Sequence, residues 1–385
     1  MRGATLRVAE VRCDRVVAGG ERFGAACSRA SRALRASPAV ARRVCVVAME
    51  QDSSEAKLNV VTGATGQVGI ELCQTLVESG ESVRAIVLVG DPAASRLREL
   101  GVEVVIGDAC EESSLRAGFA GADTIYHLAA IISTSSKLDP RAWQVNVEGP
   151  RNACRAAIAV GARRLVYFSS IVVFDPAPFD QPLDESRRRL PVTVGAPYVR
   201  SKVRAEQIVR EFSAGELDAV IVHPTVVVGP NETHHVGAVQ SLFHRYLERK
   251  LPAVFAGGFD AVAAADVAAG AIAAAGRGRR GESYILGGEW HTLRALLRHM
   301  QPHCGSPLPR FALPLGMARA GLGIVGAVAR ISRSKPAFTR EDLRQLAGNQ
   351  RITCAKAEVE LGYSANSLGL AIERIYGEWR EQQVG

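Results

Sequence analysis

The sequence contains no C-x-x-C pair, no secretory signal with an uninterrupted apolar centre, no internal repeat and, beyond residue 48, no excess of charge. Each absence excludes something. The eight cysteines, at 13, 27, 45, 73, 110, 154, 304 and 354, lie scattered, so a reducing compartment is the economical reading. Cys73 and Cys154 fall inside helical patterns, where a small apolar thiol packs well. The formal charge of +8 suggests nucleic acid only until it is located: residues 1–48 hold ten Arg, no Lys and three acids, a net +7. The remainder is close to neutral, and no nucleic acid is expected as a partner. No stable membrane span is expected either. The apolar, Gly/Ala-rich patch 311–331 is interrupted by Pro314, Arg319 and Arg330, and it reads as a buried helix lining a substrate pocket. His299, His303 and Cys304 have a metal-like spacing, but Pro302 is expected to break the helix there and a fourth ligand is lacking, so no metal is assigned.

Residues 1–48 also lack a sustained hydrophobic period. They read either as a dispensable or misassigned leader, with Met49 beginning the functional chain, or as a transit peptide, being Arg-rich and acid-poor with Ser28, Ser31 and Ser37. Residues 1–56 are therefore placed outside the fold. The expected location is cytoplasmic, with an organelle as the alternative.

What the chain does have is a core's worth of apolar residues, 47% of 385, and a strand-turn-helix sentence near its start. Asn59-Val60-Val61-Thr62 leads into Gly63, Gly66 and Gly69, after which Val68, Leu72 and Leu76 recur at helical spacing. Glycines in that turn let a ligand approach the backbone, and the helix N-terminus offers unpaired N–H groups and a positive dipole end. A dinucleotide pyrophosphate suits both. Further strands are expected at 82–89, 102–108, 124–130, 165–170 and 219–225, separated by helices at 92–100, 111 onward, 140–160 and 198–212. Such alternation implies an α/β fold, a Rossmann-type doubly wound parallel sheet. Its strand ends carry Gly63, Asp108, Ala129 and Ser170, where ligands of such sheets bind. Beyond residue 230 the pattern loosens into helices at 237–249, 265–276 and 292–301 and a short strand at 283–286. The expected division is residues 57–230 for a nucleotide-binding domain and 231–385 for a smaller mixed substrate lobe.

Tyr198 and Lys202 lie one turn apart on one helix face. Alone, such a pair is an ordinary surface pair, and Ser169-Ser170 an ordinary strand end or cap. Hydride transfer, however, needs a proton donor or acceptor at the substrate oxygen, and a cation one turn from a phenol favours the phenolate. Tyr198 is therefore the candidate acid/base, Lys202 the group that tunes it, and Ser170 the ligand of the substrate oxygen. Asn146 reads equally as part of this network or as a packing residue, and His223-Pro224 as a shaper of backbone.

Taken in order, Thr62-Gly63-Ala64-Thr65-Gly66-Gln67-Val68-Gly69, Asp108, Tyr126-His127-Leu128-Ala129-Ala130, Asn146-Val147-Glu148-Gly149, Phe168-Ser169-Ser170, Tyr198-x-x-x-Lys202 and His223-Pro224-Thr225 resemble an extended short-chain dehydrogenase/reductase. Within that superfamily the chain is similar to the dihydroflavonol-reductase / 3β-hydroxysteroid-dehydrogenase branch, which shades into the NAD-dependent epimerases and dehydratases. The resemblance implies cofactor contacts at Gly63, Thr65, Gly66, Gln67, Val68, Asp108, Ala129, Tyr198, Lys202 and Pro224, with Lys202 on the nicotinamide ribose and Asp108 by the adenine. It implies a homodimer through helices 140–160 and 198–213. The expected activity is NAD(P)-dependent interconversion of a secondary alcohol and a ketone on a small molecule. A nucleotide-sugar epimerase/dehydratase with tightly held NAD and a non-catalytic NAD(P)-binding protein are the alternatives. Neither an acid nor a base stands at Leu88, where reductase relatives often carry Arg, and the missing acid leans the reading toward NADP(H). Phe174, Phe179 and the 311–331 patch favour an apolar substrate, while Arg187-Arg188-Arg189 and residues 277–280 read as solvated surface.

Overall fold

The computed structural model describes residues 57–132, 137–230, 238–322, 343–344 and 346–384; the Arg-rich segment lies outside them. Short β-branched runs alternate with amphipathic helices as their periodicities require. In order these are β1 (Leu58–Thr62), α1 (Gln67–Glu78), β2 (Ser82–Val87), α2 (Ala94–Glu99), β3 (Glu103–Ile106), α3 (Glu112–Gly118) and β4 (Thr124–His127). Next come α4 (Pro140–Trp143), a π turn (Gln144–Glu148), α5 (Gly149–Ala159), β5 (Arg164–Phe168), α6 (Pro197–Ala214) and β6 (Ala219–Pro224). The remainder forms β7 (Val226–Val228), α7 (Ala238–Leu247), β8 (Ala253–Phe255), β9 (Gly258–Ala263), α8 (Ala264–Arg277) and β10 (Ser283–Leu286). It ends in β11 (Glu289–Thr292), α9 (Leu293–Cys304), β12 (Phe311–Leu313), α10 (Ala355–Leu361) and α11 (Leu368–Val384).

Seven strands form one parallel sheet in the order β10-β6-β5-β4-β1-β2-β3. This is a Rossmann-type α/β sheet. Successive residues of each strand point to opposite faces, and both faces are apolar. Val61, Tyr126, Val166 and Val222 pack with Leu72 and Leu76 of α1 and Val267 and Ala271 of α8. Val60, Ile125, Leu165 and Ile221 pack with Leu115, Ala153, Ala157 and Val209 of α3, α5 and α6. The strand order reverses between β1 and β4, which opens the crevice where such sheets take their ligand.

The division expected at residue 230 is crossed by the chain itself. β10 returns to pair with β6, and α8 lies against α1 in the sheet layer, because Ser283–Leu286 is buried along its whole length. The smaller β11-β9-β7 sheet and helices α7, α9 and α11 make a separate core around Phe243, Leu296 and Ile372. Two expectations are corrected here. Helix α9 continues through Pro302 to Cys304 and closes on Gly305 at φ 62, since a proline in the last turn removes one backbone bond while Leu293, Leu296, Leu297 and Met300 hold the face. The 311–331 patch opens as a strand, β12, which pairs with β8 and leaves Phe311 68% exposed, and only then turns helical over 315–322, where Ala318 is buried against the smaller core while Met317 is exposed. Residues 323–331 lie outside the described residues.

Candidate active site

The glycine turn follows β1 at the reversal point. Gly63 takes φ +68, and a Cβ there would lie 2.7 Å from the Ala129 nitrogen, so glycine lets the β1 and β4 ends meet. A Cβ on Gly69 would lie 2.3 Å from the Gly63 carbonyl oxygen. Gly66 differs, because its Cβ would meet only the Gly63 oxygen at 3.4 Å. The protein does not need a glycine at 66 for its own packing. Its bare backbone instead forms the N-cap of α1, where no side chain caps the helix and no acid occupies the first turn. Unsatisfied N–H groups, the helix dipole and an uncovered cradle fit a pyrophosphate.

The other expected cofactor residues fall into different surroundings. The Thr65 hydroxyl donates to Asp91 at 2.8 Å. Gln67 turns its amide toward the Gly229 carbonyl at 2.9 Å and Gln240 at 3.2 Å, which leaves only its backbone at the turn. Val68 packs on the sheet core. The Ala129 nitrogen faces the Thr62 hydroxyl at 3.4 Å, and that hydroxyl also meets His127 Nδ1 at 2.9 Å. Burial, with Lys202 nearby, pushes His127 down to about 3 and keeps it neutral. Asp108 is held by Arg141 at 2.6 Å and by the Cys110 N–H at 2.9 Å; these outweigh its burial and lower its pKa. Pro224 is buried at the end of β6, paired with Leu286.

Ser170 follows β5 and starts a 3₁₀ turn (Ile171–Val173), accepting from the Val172 N–H at 3.4 Å. Its hydroxyl lies beside the Tyr198 phenol and favours the phenolate. Lys202, one turn along α6, donates to the Phe168 carbonyl at 2.6 Å and sits 5.0 Å from the Tyr167 ring centroid. The fold thus brings Ser170 to Tyr198 and anchors Lys202 under the end of β5. The electrostatics differ from the sequence reading. Burial pushes the Tyr198 phenol up to about 12, with Ser170 pulling against it, where Lys202 was expected to lower it. Burial pushes Lys202 down to about 8, and Glu206 opposes that shift. At neutral pH the phenol is therefore protonated, and the arrangement is poised to give a proton.

Asn146 comes from the π turn, which rotates it inward. Its oxygen accepts from the Ile131 N–H at 2.7 Å, and its amide donates to the Ile131 carbonyl at 3.0 Å and to Ser201 at 3.1 Å. Ser201 in turn donates to the Tyr198 carbonyl at 2.7 Å, which ties the loop after β4 to the catalytic helix. A small cavity of about 10 Å³ is lined by Ile131, Lys137, Leu138, Asp139, Trp143 and Tyr198. A larger one, about 440 Å³, lies around Asp184, Arg189, Arg210, Glu282 and Lys356 and holds charges of both signs without a candidate catalytic residue.

Sequence reasoning passed over Glu206, which is buried one turn beyond Lys202. It accepts from Ser169 at 2.6 Å, His223 at 2.7 Å, Arg189 at 3.1 Å and Arg210 at 3.0 Å. Although burial opposes ionisation, His223 and the two guanidinium groups hold its pKa well below the usual range. The third arginine of the 187–189 run is therefore not solvated surface. Phe174 is likewise no substrate contact: it is 1% exposed, held between the Arg189 guanidinium over its ring and the tilted His223 ring. The spacing of four between Lys202 and Glu206 was the available signal. Among the described residues no three metal-ligating side chains cluster, and no helix is long and apolar enough to cross a membrane.

Residues 59–287 match the NAD dependent epimerase/dehydratase family. The sequence is 30% identical to sterol demethylase protein B of Methylococcus capsulatus over 84% of this chain and 98% of that protein. It is 29% identical to a 4-hydroxy-2-methyl-3-oxo-4-farnesyl-3,4-dihydroquinoline-1-oxide ketoreductase of Stigmatella aurantiaca, over 79% of this chain and 91% of that one. The crystal structure of gox2253 superposes with a TM-score of 0.72 at 30% identity, covering 85% of this chain and 98% of that one.

Proposed function

The chain belongs to the NAD dependent epimerase/dehydratase family and is an NAD(P)-dependent enzyme, and from that premise we propose that it interconverts a ketone and a secondary alcohol. The observation that carries this reading is the placement of Ser170 at the end of β5 beside Tyr198, with Lys202 one turn on along α6 and anchored to the Phe168 carbonyl at 2.6 Å. When bound, the nicotinamide dinucleotide supplies or accepts the hydride. The backbone of Gly66, Gln67 and Val68 would hold its pyrophosphate, and Lys202 its ribose. Ser170 orients the substrate oxygen. Tyr198, protonated because burial raises its pKa, gives its proton to that oxygen as negative charge develops there. The Stigmatella relative is named a ketoreductase, which supports a ketone as the substrate class.

Tyr198→Phe tests the reading. Turnover with hydrophobic ketones should fall by about 10²–10⁴-fold, while affinity for the reduced dinucleotide stays within about 2-fold. Turnover that survives the substitution overturns the assignment. Tightly bound NAD that survives purification and is not consumed would instead support epimerase or dehydratase chemistry.

A further inference from the structure

Strand β12 and the helical residues 315–322 that follow it turn an apolar edge outward. Phe311 and Leu313 stand exposed on the strand and Met317 on the helix. Three of the twelve exposed large apolar side chains among the described residues thus fall within seven positions. Leu315, Ala318 and Leu322 point the other way, onto the smaller core. The edge is held from behind by its pairing with β8 and by the Ala256 N–H on the Leu313 carbonyl at 2.8 Å, so its outer side chains stand on fixed backbone. Charge here is one-sided. From Trp290 to Arg340 the sequence has seven Arg, one Lys and no Asp or Glu, whereas acids outnumber bases in the rest of residues 57–385. Arg310 precedes Phe311, Arg319 follows Met317 by two residues, and Arg294 and Arg298 stand exposed on α9, the helix leading into β12. None of these four makes an ion pair among the described residues, while Arg84, Arg163, Arg164 and Arg279 each hold a carboxylate.

We propose that this edge seats the protein on an anionic lipid bilayer surface, with Phe311, Leu313 and Met317 entering the interface and Arg310 and Arg319 meeting the headgroup phosphates. Apolar burial and attraction to anionic lipid add in such a contact, and the long arginine side chains reach the headgroups while the apolar groups lie deeper. The contact is with the surface: among the described residues no helix is long and apolar enough to cross a membrane. A second copy of the chain fits the edge less well. β12 has three residues and lies between Pro309 and Pro314, so it offers few ladder bonds to a facing strand, and two copies would bring like charges together.

The experiment sediments the full chain with vesicles of phosphatidylcholine alone and of phosphatidylcholine containing about 30% phosphatidylglycerol. The chain should partition onto the anionic vesicles at least ~10-fold more strongly, and the excess should shrink as salt is raised. Residues 1–48 are themselves Arg-rich, so variants locate the contact. Phe311→Ser with Met317→Ser, and separately Arg310→Glu with Arg319→Glu, should each weaken binding to the anionic vesicles at least ~5-fold. The melting temperature should hold, since all four side chains are exposed. Binding that neither pair of substitutions alters overturns the proposal, as does equal binding to both kinds of vesicle. Absence of vesicle binding overturns it too, and if Phe311→Ser with Met317→Ser then converts a dimer to a monomer by light scattering, the edge is a contact between copies.

Discussion

The glycine turn after β1 and the polar column along α6 both stand at carboxyl ends of the same sheet, yet they rest on opposite physical terms. The turn is defined by missing atoms: two backbones touch where Gly63 and Gly69 have no Cβ, and an open cradle remains at Gly66. The column is defined by groups present. Tyr198, Lys202 and Glu206 succeed one another at turn spacing with Ser201 beside Lys202, and each finds its partner on another segment. At Gly63 and Gly69 the region made by shape tolerates no methyl group. A region made by buried charge gives way gradually and follows the proton.

The sharpest way to break this contrast is a pair of single methyl groups. Gly69→Ala should cost about 4 kcal/mol or prevent folding, because its Cβ would sit 2.3 Å from the Gly63 carbonyl oxygen and no flexible side chain can yield. Gly66→Ala should leave the melting temperature nearly unchanged while abolishing dinucleotide binding. If both variants lose stability equally, the cradle is a packing feature and its link to phosphate disappears.

In the column the largest loss should come from Glu206→Ala, about 3 kcal/mol in a denaturant titration, since it strips Ser169, His223, Arg189 and Arg210 of one shared acceptor. Glu206→Gln should recover part of this, because the amide oxygen still accepts. Equal losses for the two variants would mean that volume rather than hydrogen bonding holds the site.

Acid should reach both regions, through His127 beneath the glycine turn and His223 beside Glu206. His127 and His223 are both buried with lowered pKa values, so the unfolded chain binds protons below about pH 6.5 that the native state refuses. Stability therefore falls as pH drops, for His127 down to about 3, at up to roughly 1.4 kcal/mol per pH unit for each group. Glu206 adds to the loss only below the ordinary glutamate range, since its depressed pKa keeps it ionised in the native state. His127→Asn should flatten the melting-temperature profile between pH 6.5 and 4.5, and an unchanged profile would refute the account. Lys202, pushed down to about 8, should give dinucleotide affinity an inflection near that pH, which Lys202→Met removes.

The smallest effect compares neighbours. Arg188 pairs with Asp175 at 3.0 Å while its own side chain is 77% exposed, so Arg188→Ala should change stability by no more than ~0.5 kcal/mol. Arg189→Ala should cost more, having both Glu206 and the Phe174 ring as partners. Comparable values for the two would show that burial behind α6 is immaterial.

Much of this molecule is local and therefore legible in the chain. Val60-Val61, the three glycines and the Leu72–Leu76 repeat announce strand, turn and helix because backbone periodicity acts over a few residues. Tyr198 and Lys202 declare their common helix face in the same way, although only the fold shows Ser170 at the phenol. The places where the reading differed are those where the deciding partner is remote. Phe174 went to the core because His223 and Arg189 enclose it, and Arg189 left the surface for Glu206. β10 joined the large sheet because its four buried residues found β6 some sixty residues earlier.

By itself the sequence determined the alternation of strands and helices, the glycine turn and the identity of the reactive side chains, since each depends on neighbours within a turn or two. Only the tertiary structure decided their electrostatic state. Burial, which no short stretch encodes, raised Tyr198, lowered Lys202 and gathered Glu206 with its partners from β5, β6 and the loop before α6. It also decided where Asp91 points, because a left-handed Gly90 and a threonine 26 residues away set its direction together.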